Sequence, residues 1–518
     1  MSEPLSRRTL LTGAAGMLGL TALAACGAES DPGSPASSST PKKGGNLRIG
    51  SIGGATDMID PHYIATDIDQ QRCQNLYDGL KFLSPDLPFH TEYALAESIE
   101  LAPDARSATI RLKQGVVFHH GKTLSADDLI FTFQRILSKT KPGKAAAPLA
   151  AIDLNNVQKL DERTVRLAFS SPDSLFAERF GPAQSMILPT DFDPAKPIGT
   201  GPFKLQSFTP GARSVYVANR DYFVEGQPYL DQLEIISFAN NESRSQALLA
   251  GQIDAVDSID PALAAQFSTG AYKTMTTKSG FYQPLVMRVD KAPFDDPNVR
   301  MAFKLIVDRD AMLKQAYSGQ GSIGNDMPHP ATPGFPALPQ RKQDIEQAKA
   351  LLKAAGYGDG LTVTLQTSAQ NGGMVDSAQV FAQQAAKAGV TVKIDNVDAS
   401  SWTATHKAVA FKQNYWSGST IGQTYAQRFL PTGGSNDSGW NDADGIAIYK
   451  QLLSTVDPAK QADLQGQLLK RFYDSGPEIV HVFKANVDVY SSKINGFKPF
   501  EPNGWSLGAW RYRQVWMA

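Results

Sequence analysis

The chain has 518 residues, more than one hydrophobic core serves, and a prior of ~100–200 residues per domain gives roughly three domains. Hydrophobic residues make up 42% and charged residues 19%, an ordinary globular composition, and the 43 glycines and 32 prolines imply many turns. The net charge of −1 offers no basic excess for a nucleic-acid partner, and two cysteines, Cys26 and Cys73, exclude a disulfide framework if Cys26 is used as read below.

The chain opens with Ser6-Arg7-Arg8-Thr9-Leu10-Leu11, followed by an Ala/Gly/Leu-rich stretch to Ala25. That stretch is too short and too weakly apolar for a transmembrane helix and reads as a signal peptide. The paired arginines resemble a twin-arginine export signal, with general secretion as the alternative. Leu23-Ala24-Ala25-Cys26-Gly27 resembles the bacterial lipobox, in which the cysteine thiol takes a diacylglyceryl group. Acyl chains bury methylenes at ~0.8 kcal/mol each, enough for anchoring when several are present. Residues 27–43 are rich in Ser, Pro and Gly and read as a flexible tether with a reach of roughly 20–25 Å.

Folded structure is expected from Gly44. Leu47–Gly50 and Thr109–Lys113 alternate as strands do, and Gln70–Leu80, which holds Cys73, reads as helical with a buried thiol. Ser125-Ala126-Asp127-Asp128 is a capping box before the helical face Leu129, Ile130, Phe133 and Ile136. Asp344 begins a helix that Gly356 ends. Strand 361–365, helix 374–388 and strand 390–394 then form a strand–helix–strand unit, so two parallel strands with a right-handed crossover are expected. The body is mixed α/β.

Ordered blocks carry a family resemblance. They are Ala108–Ile136, Pro197-Ile198-Gly199-Thr200-Gly201-Pro202-Phe203, Asn219–Phe223 with Tyr229–Asp231 and Ala250–Asp254, Ala292–Asp296 with Val299–Ala302, and Asp344–Tyr357. Together they resemble the family-5 extracellular solute-binding proteins of ABC importers, the oligopeptide-, dipeptide-, nickel- and opine-binding group. The resemblance implies a periplasmic-binding-protein-like type II fold (cluster C), with two lobes around a hinge and an extra domain. Domain I would combine 44–72, 190–278 and 485–518. Domain II would be an insert at 73–189, and domain III would span 279–484, after a signal peptide at 1–26. Most block residues read as architectural. Gly199 and Gly201 are expected to supply backbone angles closed to other residues, and Arg300 to pair with a scaffold carboxylate.

The resemblance places Tyr415-Trp416-Ser417-Gly418-Ser419-Thr420 at the ligand cleft. Peptide binders of the family carry an Asp three residues after that Trp to hold an ammonium group, and this chain has Ser419. A neutral hydroxyl cannot supply a charge-assisted bond, which speaks against ordinary peptides. Asp67 or Asp257 could restore the charge. Thr66, Ser258, Tyr282 and Gln283 fall at matching positions, and Trp402 and Trp440 are further candidate walls. Trp505, Trp510 and Trp516 read as packing.

The expected role is capture of a small polar solute, opine-, glycoside- or modified-peptide-like, between closing lobes. Alternatives are an ordinary di- or oligopeptide, a nickel chelate, or an exported lipoprotein hydrolase. The Gly121-Lys122-Thr123 run has the wrong glycine spacing for a phosphate loop, and no hydrolase motif occurs. His119, His120, His329 and His406 read as structural or surface groups, so no metal, cofactor or catalytic residue is assigned. The expected partners are a permease and an ATPase. The protein would be an exported monomer, held on the outer face of the cytoplasmic membrane through lipidated Cys26.

Overall fold

The computed structural model describes residues 40–518 except 86, 87, 89, 181, 182, 260 and 503, so the signal peptide, Cys26 and most of the tether lie outside the described residues. Three sheets organise the body. The largest has seven strands and is built around Asn46–Ile52, which pairs in parallel with Gln232–Phe238 and with Ala255–Val256. Leu47, Ile49, Gly50 and Ser51 are buried and only Asn46, Arg48 and Ile52 are more exposed, as a central strand covered on both faces requires. Arg213–Ala218 and Phe203–Thr209 extend one edge, and Asn486–Ser491 and Tyr272–Thr277 the other.

A five-stranded sheet runs in the order Val390–Asn396, Leu361–Thr367, Phe411–Gln413, Leu285–Met287, Glu478–Ile479. The expected strand–helix–strand unit is present. Leu361 pairs with Val390 in parallel register, and helix Met374–Ala386 connects the two strands. Gly389, at φ +78°, takes the left-handed conformation that turns the chain into the second strand. A four-stranded antiparallel sheet holds Ala96–Leu101, Ser107–Leu112, Thr164–Ala168 and Gln158–Asp161. Helix Ala126–Ile136 packs Leu129, Phe133 and Ile136 into the same core and carries the predicted capping box.

Between the seven-stranded and five-stranded sheets the chain crosses twice, at 278–284 and at 480–485. The two crossings are bonded to each other. Lys484 N donates to Phe281 O at 2.9 Å, and Tyr282 bridges to Phe483.

Several expectations are corrected. The helix expected at Gln70–Leu80 runs Asp67–Leu76 and stops because Tyr77 is extended, at φ −125° and ψ 162°. Its Cys73 thiol is buried, 3.6 Å from Ile59 O, and burial pushes it well above its ordinary value. Gly199 and Gly201 are not in the left-handed region. They lie against the Leu76 carbonyl, which any Cβ at either position would strike. Arg300 donates to the backbone carbonyls of Phe294 (2.7 Å) and Asp295 (3.2 Å), with no carboxylate salt bridge among the described residues. His119 is not a surface group. It fastens the Gly201 turn through a 3.0 Å contact of Nε2 with the carbonyl, and desolvation lowers it to about 4.

Candidate ligand-binding site

In open α/β sheets, ligands bind outside the carboxyl ends of strands. Two groups of predicted residues fall there. Asp257 and Ser258 follow Ala255–Val256 directly, and Trp416 and Ser419 follow Phe411–Gln413. Tyr415 and Trp416 are half-buried, and Ser419 is partly exposed.

On the seven-stranded side, Thr66 caps helix Asp67–Leu76 by accepting from Asp69 N. Asp67 keeps exposed surface and has no hydrogen-bond or ion-pair partner among the described residues. Desolvation first, and the Asp257 charge second, push its carboxyl up to about 6. Asp257 cannot restore a missing charge for a ligand. It is buried, ion-paired with Arg244, and also accepts from Gln71 and, at 3.4 Å, from Ser51. Ser258 is exposed at φ +42°, a strained conformation for a residue with a Cβ. Its N–H is held at 2.9 Å by Asp488, and its carbonyl at 3.2 Å by Arg244. Asp488 is itself pushed up to about 7 by burial.

On the five-stranded side, Trp416 is suspended from the crossing. Its N–H and carbonyl pair with Tyr282 at 2.9 and 3.0 Å. The ring lies under the Arg428 guanidinium, 3.9 Å from its centroid. Arg428 donates to Tyr282 Oη at 2.6 Å and pairs with Glu478 in a fully buried setting. Burial raises the Glu478 carboxyl and Arg428 opposes it. Sequence reasoning missed Arg428, whose one local signal is a charge inside the apolar run Tyr425–Leu430.

Beneath Ser419 lies His329, buried, with its Nδ1 accepting from Ser419 N at 3.1 Å. The ring proton therefore sits on Nε2 and faces Thr424 Oγ1 at 2.5 Å. Desolvation, then Arg428, lowers His329 to about 3, so it is neutral. Ser419 Oγ donates to Gln423 at 2.8 Å. The Trp416 indole N–H is buried and has no acceptor among the described residues.

Other predicted wall residues belong to the scaffold. Tyr282 is fully buried against His329 and Phe483, and its hydroxyl is taken by Arg428. Gln283 is buried, accepting from Tyr317 (2.9 Å) and donating to Gly372 O (3.1 Å). Thr420 is buried and caps the helical turn Ile421–Thr424. Trp440 is core, packed on Phe429 and Phe472. Trp402 stands behind Tyr415, stacked at 5.6 Å, with its N–H on Gln413 O. His406 stacks on Trp402, and among the described residues no cluster of three metal-ligating side chains occurs. Lys122 is tied to Asp128 and Thr190, so the Gly121-Lys122-Thr123 turn is a scaffold contact.

Because folding raises the Asp67 pKa, Asp67 destabilises the folded state once ionised. The penalty is absent below about pH 4 and complete above about 6. Asp67→Asn should therefore be more stable than the wild type at pH 7.5, by about 1 kcal/mol after allowance for solvent screening. Urea melts should show this gain shrinking to nothing toward pH 4. Equal stability at pH 7.5 would mean that a cation already compensates the carboxylate.

The model for bacterial extracellular solute-binding proteins, family 5 Middle, matches residues 90–437. Oligopeptide-binding protein AppA of Bacillus subtilis (strain 168) is 29% identical over 415 residues, covering 74% of each chain. Glutathione-binding protein GsiB of Shigella flexneri is 24% identical over 485 residues, 88% of this chain and 93% of the relative. The solved structure of AgaA from A. tumefaciens R10, in complex with agropinic acid, has a TM-score of 0.75 at 24% identity, covering 92% of this chain and 99% of that one. The likeness in structure extends the fold beyond the matched segment to the two-lobed whole, and the chain belongs to the family-5 bacterial extracellular solute-binding proteins.

Proposed function

We propose that this protein captures a small polar solute bearing a cationic group, opine- or modified-peptide-like, between two closing lobes. It then presents the closed form to an ABC importer. The family role is delivery of substrates to such permeases and ATPases, and the relatives above are named as binding proteins. The observation that carries the reading is the suspension of Trp416 from the crossing through Tyr282. A solute stacked on that ring acts on the segment about which closure would turn, so binding shifts the open–closed equilibrium. The moving bodies would be 44–72, 190–278 and 485–518 with the 73–189 insert, against 279–484.

Asp67 favours a cationic solute over a neutral glycoside, since a carboxylate without an ion-pair partner among the described residues gains from one. Ordinary peptides are the second reading, favoured by the same carboxylate and by the name of AppA. A nickel chelate would have to bring its own ligands.

Calorimetry against opines, amino-blocked peptides, glycosides and unmodified dipeptides separates these readings. The account expects one tight class, recovered unchanged, and at least tenfold weaker binding by Trp416→Ala, about 1.4 kcal/mol. Unaltered affinity in a folded variant removes Trp416 from the site. The lipobox-like segment around Cys26 supports an anchor on the outer face of the cytoplasmic membrane. Wild-type protein expressed in bacteria should partition into Triton X-114 and Cys26→Ser into the aqueous phase; aqueous wild type would end the anchor proposal.

A further inference from the structure

Among the described residues, every buried arginine but one has a carboxylate within salt-bridge distance. Arg72 meets Asp57 and Asp69, Arg179 meets Asp173, Arg244 meets Asp257, Arg309 and Arg341 both meet Asp326, and Arg428 meets Glu478. Arg513 is the exception. It is only 6% exposed, yet it has neither a salt bridge nor a hydrogen bond among the described residues, and its Nε is buried. A withdrawn guanidinium with unmet donors is costly, so what surrounds it decides its role.

Arg513 lies in the short turn Tyr512–Gln514, which Tyr512 fastens to the seven-stranded-sheet lobe by donating from Oη to Gln71 Oε1 at 3.1 Å. The guanidinium carbon stands 4.2 Å over the ring of Phe82, in strand Lys81–Leu83, whose hairpin partner is Thr91–Tyr93. Stacking uses the face of a guanidinium and leaves the in-plane N–H fork free. Arg511 stands 5.7 Å over the same ring and also has no salt bridge among the described residues. Desolvation first, and Arg513 second, lower Arg511 to about 9. Asp78 does not pair with either arginine. Its two carboxylate oxygens accept from the Tyr222 and Thr200 hydroxyls, each at 3.0 Å.

Arg513 and Phe82 line one recess of about 590 Å³. Lys113 lines it too, with its Nζ 5.6 Å over the Phe223 ring, donating to Tyr93 O at 3.2 Å and in no salt bridge among the described residues. Gln227 adds a side-chain Oε1 that is buried and unpartnered among the described residues. Glu92 and Glu225 stand on the same lining, but both are exposed to water. Screened surface charges weigh less than a buried cation without a partner. The lining takes nothing from 279–484, so the recess is separate from the Trp416 wall.

We infer that this recess is a second binding site, for the carboxylate or phosphate group of a small anion, which the Arg513 fork receives with Lys113 and the Gln227 amide beside it. A planar fork suits either oxyanion, and an amide offers a donor or an acceptor according to which way it is turned. The lobe contributes Gln227 and Arg513, and the segment leading into the four-stranded sheet contributes Phe82 and Lys113. A bound anion therefore bolts the insert to the lobe. The inference does not depend on which solute the cleft takes.

The test uses the protein exchanged into chloride buffer and titrated with acetate, succinate, citrate or inorganic phosphate at constant ionic strength, read by thermal shift and amide hydrogen exchange. At least one of these salts should give a saturable stabilisation at millimolar concentration. It should slow exchange at 113–116 and 223–227 and leave 411–420 unchanged. Arg513→Gln should abolish the response, and Arg513→Lys, which keeps the charge and loses the fork, should recover part of it. Lys113→Gln changes a half-buried side chain, decides the matter if Arg513→Gln does not fold, and should weaken the anion about tenfold. A response to phosphate alone or to carboxylates alone supports the inference and names the anion. No saturable response to any of the four salts, an equal response in wild type and Lys113→Gln, or protection confined to other segments overturns it.

Discussion

Two short crossings, 278–284 and 480–485, are all that join the seven-stranded and five-stranded sheets covalently, and they are bonded to each other. That constraint organises the rest. Two bodies joined by a paired ribbon can turn about it without breaking either sheet, as hinge motions require. Tyr282 sits in the first crossing and pairs with Phe483 in the second and with Trp416 on the wall. Arg428 then locks the group from behind, holding Tyr282 by its hydroxyl, Trp416 by its ring and Glu478 by its charge. Removing one member would leave a buried charge or a free ring, so Trp416 and the crossing are held as one unit.

Compensation is the second theme. Several buried charges are paired, Arg244 with Asp257 and Arg428 with Glu478 among them, and even strained Ser258 has both backbone groups satisfied by Asp488 and Arg244. At the mouth of the sheets the buried Trp416 indole N–H has no acceptor among the described residues. Polar groups held unsatisfied in this way cost stability in the empty protein, and a ligand recovers that cost on binding.

Local signals carried the parts of the fold that local physics determines. The Ser125–Asp128 box, the Asp344 cap and the 361–394 strand–helix–strand unit were legible because caps and periodicity act within a few residues. Legibility fell where a role depends on distant partners. Gly199 and Gly201 are required by the approach of Leu76 from over a hundred positions away, and not by their own angles. Trp440 and Trp416 are both tryptophans of one segment, yet one meets Phe472 in the core and the other is half-buried beneath Arg428. Asp67 and Asp257 were equivalent as candidates until Arg244 separated them.

The central claim is that two bodies close on a solute that leaves chemically intact. Small-angle X-ray scattering tests it most directly, on protein stripped of retained solute by unfolding and refolding and then titrated with that solute. The account predicts one saturable fall in radius of gyration, complete at one equivalent, with the solute recovered unchanged. Tight binding without any change in scattering, or recovery of a converted product, would contradict it.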